Sequence, residues 1–88
     1  MTEIELKNRI NEMLKDRCGY SDIKENYSLQ NELGFDSLDK IEFIMELEEE
    51  FEIEINEDEE DKFYSDIKVF DVYEFMKNKL EKENKLTK

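Results

Sequence analysis

Apolar residues recur every three to four positions in three segments of the chain, at about residues 2–17, 37–51 and 69–80, and this spacing predicts three main helices. Thr2 is placed to cap the first helix and Gly19 to stop it. The apolar stripe of the first helix consists of Leu6, Ile10, Met13 and Leu14, and that of the last consists of Val69, Val72, Tyr73, Met76 and Leu80.

The connections between these helices add one short helix. The segment EDEEDKF, residues 57–63, is expected to form a helical turn anchored by Phe63. FEIEIN, residues 51–56, alternates like a strand, but no partner strand is evident, so an extended loop is expected. The long connection of residues 20–35 carries apolar residues that should pin it to the core, namely Ile23, Tyr27, Leu29 and Leu33.

These elements predict an all-α fold, a small four-helix bundle with three main helices, one short helix and a long first loop. Residues 1–80 form the predicted domain, and residues 81–88 form a charged tail that is expected to fray. The composition agrees with a helical fold, because the 88 residues include no proline and only two glycines.

The formal net charge of −13 disfavours binding to DNA, RNA or anionic membrane surfaces. The charge is uneven: residues 36–62 hold fourteen of the 26 acidic residues and two of the 13 basic ones. Such a cluster suits a basic partner protein, although it also fits a solvated face that keeps the protein in solution.

The sequence restricts the available chemistry. It has no histidine, which excludes Ser-His and Cys-His nucleophile pairs and removes the commonest metal ligand. Cys18 is the only cysteine, so we expect a packing role and no intramolecular disulfide. No segment is long and apolar enough for a signal peptide or a membrane span. We therefore expect a cytoplasmic monomer without a metal site. An EF-hand loop within Glu57–Asp61 would also need a glycine that this run lacks.

The second helix carries two apolar faces. One face, which we assign to the core, consists of Phe43, Ile44, Leu47 and Phe51. The other consists of Leu38, Ile41 and Met45, with Asp39, Glu42, Glu46 and Glu49 along one side and Glu48 along the other. A bundle helix normally needs one apolar stripe, so the second is expected to be exposed as a docking surface for a basic partner. The alternative is that another part of the chain covers it.

A single serine lies at the start of this helix. Asp36 is a strong N-cap residue and Asp39 stands at the matching third position, so Ser37 falls in the first turn beside the second apolar stripe. No base is near in the sequence, which makes Ser37 a poor nucleophile but a suitable residue for modification by another enzyme. A phosphate ester on its hydroxyl would meet free backbone N–H groups.

The stretch from residue 33 to 55, LGFDSLDKIEFIMELEEEFEIEI, closely resembles the acyl carrier proteins. The family's Leu-Gly-x-Asp-Ser-Leu signature reads here as Leu33, Gly34, Phe35, Asp36, Ser37 and Leu38. The helices before and after it also fit, so the resemblance covers about residues 3–80.

The resemblance implies that a phosphopantetheinyl transferase, using coenzyme A and a divalent metal, attaches 4′-phosphopantetheine to Ser37, which Asp36 and Leu38 flank. Acyl groups are then carried as thioesters on the terminal thiol of the 4′-phosphopantetheine. The carrier would catalyse nothing itself and would deliver acyl chains to fatty acid synthesis enzymes with basic docking patches: synthases, reductases, dehydratases or acyltransferases. Docking residues implied by motif position are Asp36, Asp39, Ile41, Glu42, Met45, Glu48 and Glu49, with Leu38 in the apolar strip, and the implied acyl pocket includes Phe43, Ile44 and Leu47.

Several features depart from the commonest bacterial pattern. Lys40 is expected to place a positive charge inside the acidic frame, Glu46 stands where a small residue is usual, and Asn56 replaces a frequent proline. Residues 63–68 include a small apparent insertion. These departures leave open a dedicated carrier for a polyketide, an amino acid or another specialised acyl group. The alternative from a different functional class is an acidic protein-binding adaptor or a nucleic-acid mimic.

Overall fold

The structure, a computed structural model, describes residues 1–86 and contains four α-helices and no strand within that range. The helices are α1 (Glu3–Cys18), α2 (Ser37–Phe51), α3 (Glu57–Tyr64) and α4 (Val69–Lys82). Helix α1 packs against α4, and α2 packs against α3. The predicted all-α four-helix bundle is confirmed.

The helix ends follow the local signals in the sequence. The Thr2 hydroxyl accepts the Glu5 N–H at 3.2 Å, and Gly19 ends α1 with φ of 78°, a left-handed conformation that glycine adopts without steric cost. Helix α3 begins with a reciprocal capping box between Asn56 and Glu59. Residue 56 therefore works as a helix cap.

The predicted apolar stripes form one core. Nineteen apolar residues are buried, and Phe43 and Phe63 are the largest of the fully buried side chains. Within the FEIEIN segment, Phe51 ends α2 and Glu52 caps it in a left-handed conformation, so the expected loop is limited to residues 53–56, where it buries Ile53 and Ile55. Met13, Cys18, Ile23 and Tyr27 are partly buried against the core, while Leu29 and Leu33 are fully within it.

The C-terminal end differs from the prediction. Helix α4 continues through Lys82, two residues beyond the predicted end. The Lys85 N–H then donates to the Leu80 carbonyl at 2.9 Å, and the Met1 ammonium donates to the Lys85 carbonyl at 3.2 Å. Leu86 packs against the core and gives this segment an apolar anchor that its charged composition obscures. The predicted frayed tail also included residues 87–88, which lie outside the described residues.

The long loop before α2 is bound to the connection between α3 and α4. Leu29 N–H donates to the Ile67 carbonyl at 3.0 Å and Val69 N–H donates to the Tyr27 carbonyl at 2.9 Å, on either side of an antiparallel bridge between Ser28 and Lys68. This contact fixes the loop that leads into α2.

Ser28 joins the two segments through its side chain. Its hydroxyl donates to Asp66 Oδ1 at 2.5 Å and accepts the N–H groups of Gln30 and Asn31 at 3.2 and 3.1 Å. Ser28 itself is buried, with 3% exposure, whereas its partners Gln30, Asn31 and Asp66 are exposed residues. A hydrogen bond to a charged group such as the Asp66 carboxylate contributes more to stability than one between neutral groups.

We expect Ser28→Ala to lower the free energy of unfolding by about 1–3 kcal/mol, because it removes a hydrogen bond to the Asp66 carboxylate and two from backbone N–H groups. Chemical denaturation monitored by circular dichroism measures the change. Ser21→Ala, at an exposed serine of the same loop, is the matched control and should stay within about 0.5 kcal/mol of the parent. Equal stability of the two variants would contradict the anchoring role of Ser28.

Candidate functional site

The start of α2 is held from both sides of Asp36. Before it, Phe35 is buried, packs edge-to-face on Phe43 at 5.8 Å between ring centroids, and donates its N–H to the Leu29 carbonyl at 2.8 Å. At Asp36 itself a reciprocal capping box forms: Asp39 N–H donates to Asp36 Oδ1 at 2.8 Å, and Asp36 N–H donates to Asp39 Oδ2 at 3.1 Å. The first turn of α2 is therefore fixed.

Ser37 is the first residue of this helix and is exposed. Its hydroxyl takes no part in the capping box, which uses only Asp36 and Asp39. Gly34, three residues before the serine, has φ of 74°, a left-handed conformation that glycine adopts without steric cost. This geometry fits a residue that accepts a bulky covalent group from another enzyme, with the positive end of the α2 dipole beneath it.

The capping hydrogen bonds also act on the charge of Asp36. The pKa of its carboxyl lies below the ordinary value, chiefly because the carboxylate accepts the backbone N–H of Asp39. The carboxylate form is thus the one that starts the helix.

The second apolar face of α2 is exposed, as the sequence predicted. Leu38, Ile41 and Met45, which we call the docking strip, are 62%, 42% and 59% exposed. The opposite face, with Phe43, Ile44, Leu47 and Phe51, is buried. No other element among residues 1–86 covers the strip, which removes the alternative that it belongs to the core.

The acids beside the docking strip differ in exposure and in the hydrogen bonds that they form within the chain. Glu42 and Glu49 are exposed. Asp36 and Asp39 hold the capping box, and Glu48 accepts the Ile55 N–H through Oε2 at 3.0 Å, which ties α2 to the following loop. Some of the predicted docking acids therefore also stabilise the fold by accepting backbone N–H groups.

Sequence reasoning missed a cation at this face. Arg17, in the last turn of α1, forms ion pairs with Asp39 at 3.4 Å, Glu42 at 3.5 Å and Glu46 at 2.5 Å. Burial alone would lower the pKa of the Arg17 guanidinium, but the Glu46 hydrogen bond and the three negative charges outweigh it and raise that pKa. The only local signal was the preference for basic residues in a final helical turn; the partners lie 22 to 29 residues away.

Lys40 does not lie in the acidic frame, so that prediction was wrong. Its side chain is on the core side of α2, 3% exposed, and its ammonium donates to Gln30 Oε1 at 3.1 Å and to the Ser65 carbonyl at 3.2 Å. The reason is helical spacing: residue 40 precedes Phe43 and Ile44 by three and four positions and shares their face. Lys40 therefore joins α2 to the long loop and to the end of α3.

The side chains proposed for an acyl pocket are closed in the core. Phe43, Ile44 and Leu47 are at most 1% exposed, so a chain could enter among them only if the packing opened. A groove of about 440 Å³ between α3 and α4 is separate from them and includes Glu59, Phe75 and Lys79 in its lining. In the range 1–86 no group of three or more Cys, Asp or Glu side chains is arranged to hold a metal ion, and no helix is long and apolar enough to cross a membrane.

The chain is similar to known proteins over most of its length. A family model described as "Phosphopantetheine attachment site" matches residues 8–67, a range that contains all of α2. An acyl carrier protein of Nitratidesulfovibrio vulgaris is 40% identical over 76 residues, which cover 84% of this chain and 96% of that protein. Acyl carrier proteins of Chlorobium phaeovibrioides and Lactobacillus acidophilus are 38% and 41% identical over 64 residues, 70% of this chain and 82% and 80% of theirs.

We expect Asp36→Ala to lower the midpoint of thermal unfolding, because it removes the acceptor that caps α2. Asp36→Asn keeps an acceptor and should lose less. The folded-state pKa of Asp36 is depressed, so the carboxylate's contribution is present above its ordinary pKa of about 4 and is lost as the pH falls through the folded-state value. As the pH is lowered from neutral toward the folded-state pKa, the thermal midpoints of the parent and the Asn variant should therefore move closer together; a constant difference would argue against the charged cap.

Proposed function

The chain belongs to the acyl carrier protein family and carries acyl groups on phosphopantetheine, and from this premise we propose that Ser37 is the residue to which 4′-phosphopantetheine is attached. The observation that carries the proposal is an exposed serine hydroxyl at a capped helix start, left free by the capping box. The sequence around it, Leu33–Leu38, has the family's signature.

The residues of this chain present the group and leave the chemistry to other proteins. When bound, 4′-phosphopantetheine supplies a terminal thiol that holds an acyl group as a thioester. Asp36 and Asp39 hold the first turn, and Leu38 lies exposed beside the serine. With no histidine in the sequence to activate Ser37, we propose that the protein is a carrier without catalytic activity of its own.

We propose that partner enzymes dock on the strip of Leu38, Ile41 and Met45 through basic patches. The strip offers exposed apolar area, and Glu42 and Glu49 are exposed acids beside it that attract a basic surface. The first such partner is a phosphopantetheinyl transferase, and the later ones are the synthases, reductases, dehydratases or acyltransferases of acyl-chain synthesis. Asp36, Asp39 and Glu48 belong to the same proposed surface.

We propose fatty acid synthesis in the cytoplasm as the pathway, since this is the usual role of the family. Phe43, Ile44 and Leu47 are the proposed inner lining for the acyl chain, and residues 1–80 the proposed carrier domain. The acyl group found on protein isolated from its own cells distinguishes this pathway from a dedicated polyketide or amino acid carrier: a saturated or 3-hydroxy fatty acyl chain is expected, and an aminoacyl or polyketide group would redirect the assignment.

The attachment site is tested by intact mass. The purified protein is incubated with coenzyme A, magnesium and a broad-specificity phosphopantetheinyl transferase, and one added phosphopantetheine is expected. Ser37→Ala should gain no mass, whereas Ser65→Ala, at another exposed serine, should gain it as the parent does. An unmodified parent that is folded by circular dichroism would overturn the proposal, and a modified Ser37→Ala would move the site elsewhere.

The docking surface is tested by charge reversal at Glu49. We expect Glu49→Lys to slow association with the transferase by about three- to tenfold at low salt and to reduce its salt dependence, because rim charges act mainly through electrostatic steering. Glu81→Lys, at an exposed residue of α4, makes the same charge change away from the strip. Stopped-flow association rates at several salt concentrations provide the comparison, and equal effects of the two reversals would contradict docking on α2.

A further inference from the structure

The proposed docking face contains a cation that belongs to the chain itself. Arg17 reaches across from α1 and pairs with three carboxylates of α2, those of Asp39, Glu42 and Glu46. We propose that Arg17 is a specificity-determining residue of this face, an internal counter-ion that weakens the attraction of these three carboxylates for basic partners. This inference rests on the proposed function, because it presumes that partners dock on α2.

The three carboxylates form one row along the helix. Asp39, Glu42 and Glu46 are separated by three and four positions, so they line the same side of α2. The Arg17 side chain is 17% exposed, whereas the carboxylate side chains are 35%, 50% and 44% exposed. A partner's cation can therefore reach the outer oxygens of these carboxylates, but the Arg17 guanidinium is already paired with them.

The three ion pairs of Arg17 also make the negative charge of the proposed docking face uneven along α2. Glu49 is exposed, lies three positions beyond Glu46 and is outside the three ion pairs of Arg17. The row of Asp39, Glu42 and Glu46 is partly neutralised, whereas Glu49 forms no ion pair with Arg17. The arrangement favours enzymes whose basic groups reach Glu49 over enzymes whose basic patch faces only the row.

Arg17 has a second effect that must be separated from the first. By holding three carboxylates in place it reduces the side-chain freedom that a partner would otherwise have to restrict, which favours a long-lived complex. Long-range attraction acts mainly on the association rate, and short-range order acts mainly on the dissociation rate. The association rate is therefore the quantity that reports the counter-ion effect.

A matched control exists on the same helix. Arg9 pairs with Glu50 at 2.8 Å, so Arg9→Gln makes the same charge change as Arg17→Gln. Glu50 lies eleven residues after Asp39, about 16 Å along the helix axis. At about 0.1 M salt the screening length is about 10 Å, so the loss of Arg9 should be felt weakly at Asp39 and Glu42, and it acts at close range only on Glu46, about 6 Å from Glu50 along the axis.

The test measures stopped-flow association of the unmodified protein with a broad-specificity phosphopantetheinyl transferase at about 0.1 M and about 1 M salt. At the lower salt, Arg17→Gln should associate about two- to fivefold faster than the parent and clearly faster than Arg9→Gln, and the difference should vanish at the higher salt. Arg17→Lys retains the charge and should associate at the parent rate. If thermal unfolding shows that Arg17→Gln is not folded, Arg17→Met, which keeps an apolar stem and removes the same charge, takes its place and should show the same faster association.

Equal rates for Arg17→Gln and Arg9→Gln would overturn the inference, and so would a slower Arg17→Gln or an Arg17→Lys variant that gains speed. These outcomes differ from failure of the proposed function. If the parent is not modified by the transferase at all, the attachment proposal fails; if it is modified and the rates do not separate, only the role of Arg17 fails.

Discussion

The choice of Asp36 as the residue that caps α2 is the constraint on which the site depends. Serine is also a good N-cap residue, so a helix that began one residue later would tie up the Ser37 hydroxyl in its own capping bond. The third helical position would then be Lys40, a donor that cannot return the hydrogen bond to the cap backbone. Starting at Asp36 makes the box reciprocal with Asp39 and leaves the serine hydroxyl free.

The density of negative charge is the second constraint, and the fold meets it in two ways. Acids at helix starts take up backbone N–H groups, as Asp36 does in α2 and Glu59 does in α3. Basic residues on the outer helices supply counter-ions: Arg17 pairs with three acids of α2, and Lys79 of α4 holds Glu59 at 2.8 Å. The pKa of Glu59 is lowered mainly by its hydrogen bond from Lys79. The acidic surface that a partner meets is thus smaller than the sequence count suggests.

Local patterns were sufficient for the helices and for the exposed face of α2, whereas long-range pairs were not. The apolar spacing of Leu38, Ile41 and Met45 opposite the core face is a property of one helix, so a wheel predicts it. Arg17 could not be paired from sequence, because its partners depend on how α1 crosses α2. Lys40 was assigned wrongly because its polarity was given more weight than its position on the core face. The end of α4 was predicted two residues too early because the charged residues around it obscured the apolar anchor at Leu86.

Arg17 and Lys40 both connect α2 to other parts of the chain, but by different physics. Arg17 is partly exposed and meets carboxylates, so its charge is compensated directly while water still reaches the cluster. Lys40 is buried and meets two neutral oxygens, which satisfy hydrogen bonds of its ammonium without compensating its charge. Such a group is costly to bury, and its long stem offsets part of the cost by packing along the core. One cation therefore compensates carboxylates on the exposed side of α2, and the other fixes α2 to the long loop and to the end of α3; the two roles follow from which oxygens each side chain reaches.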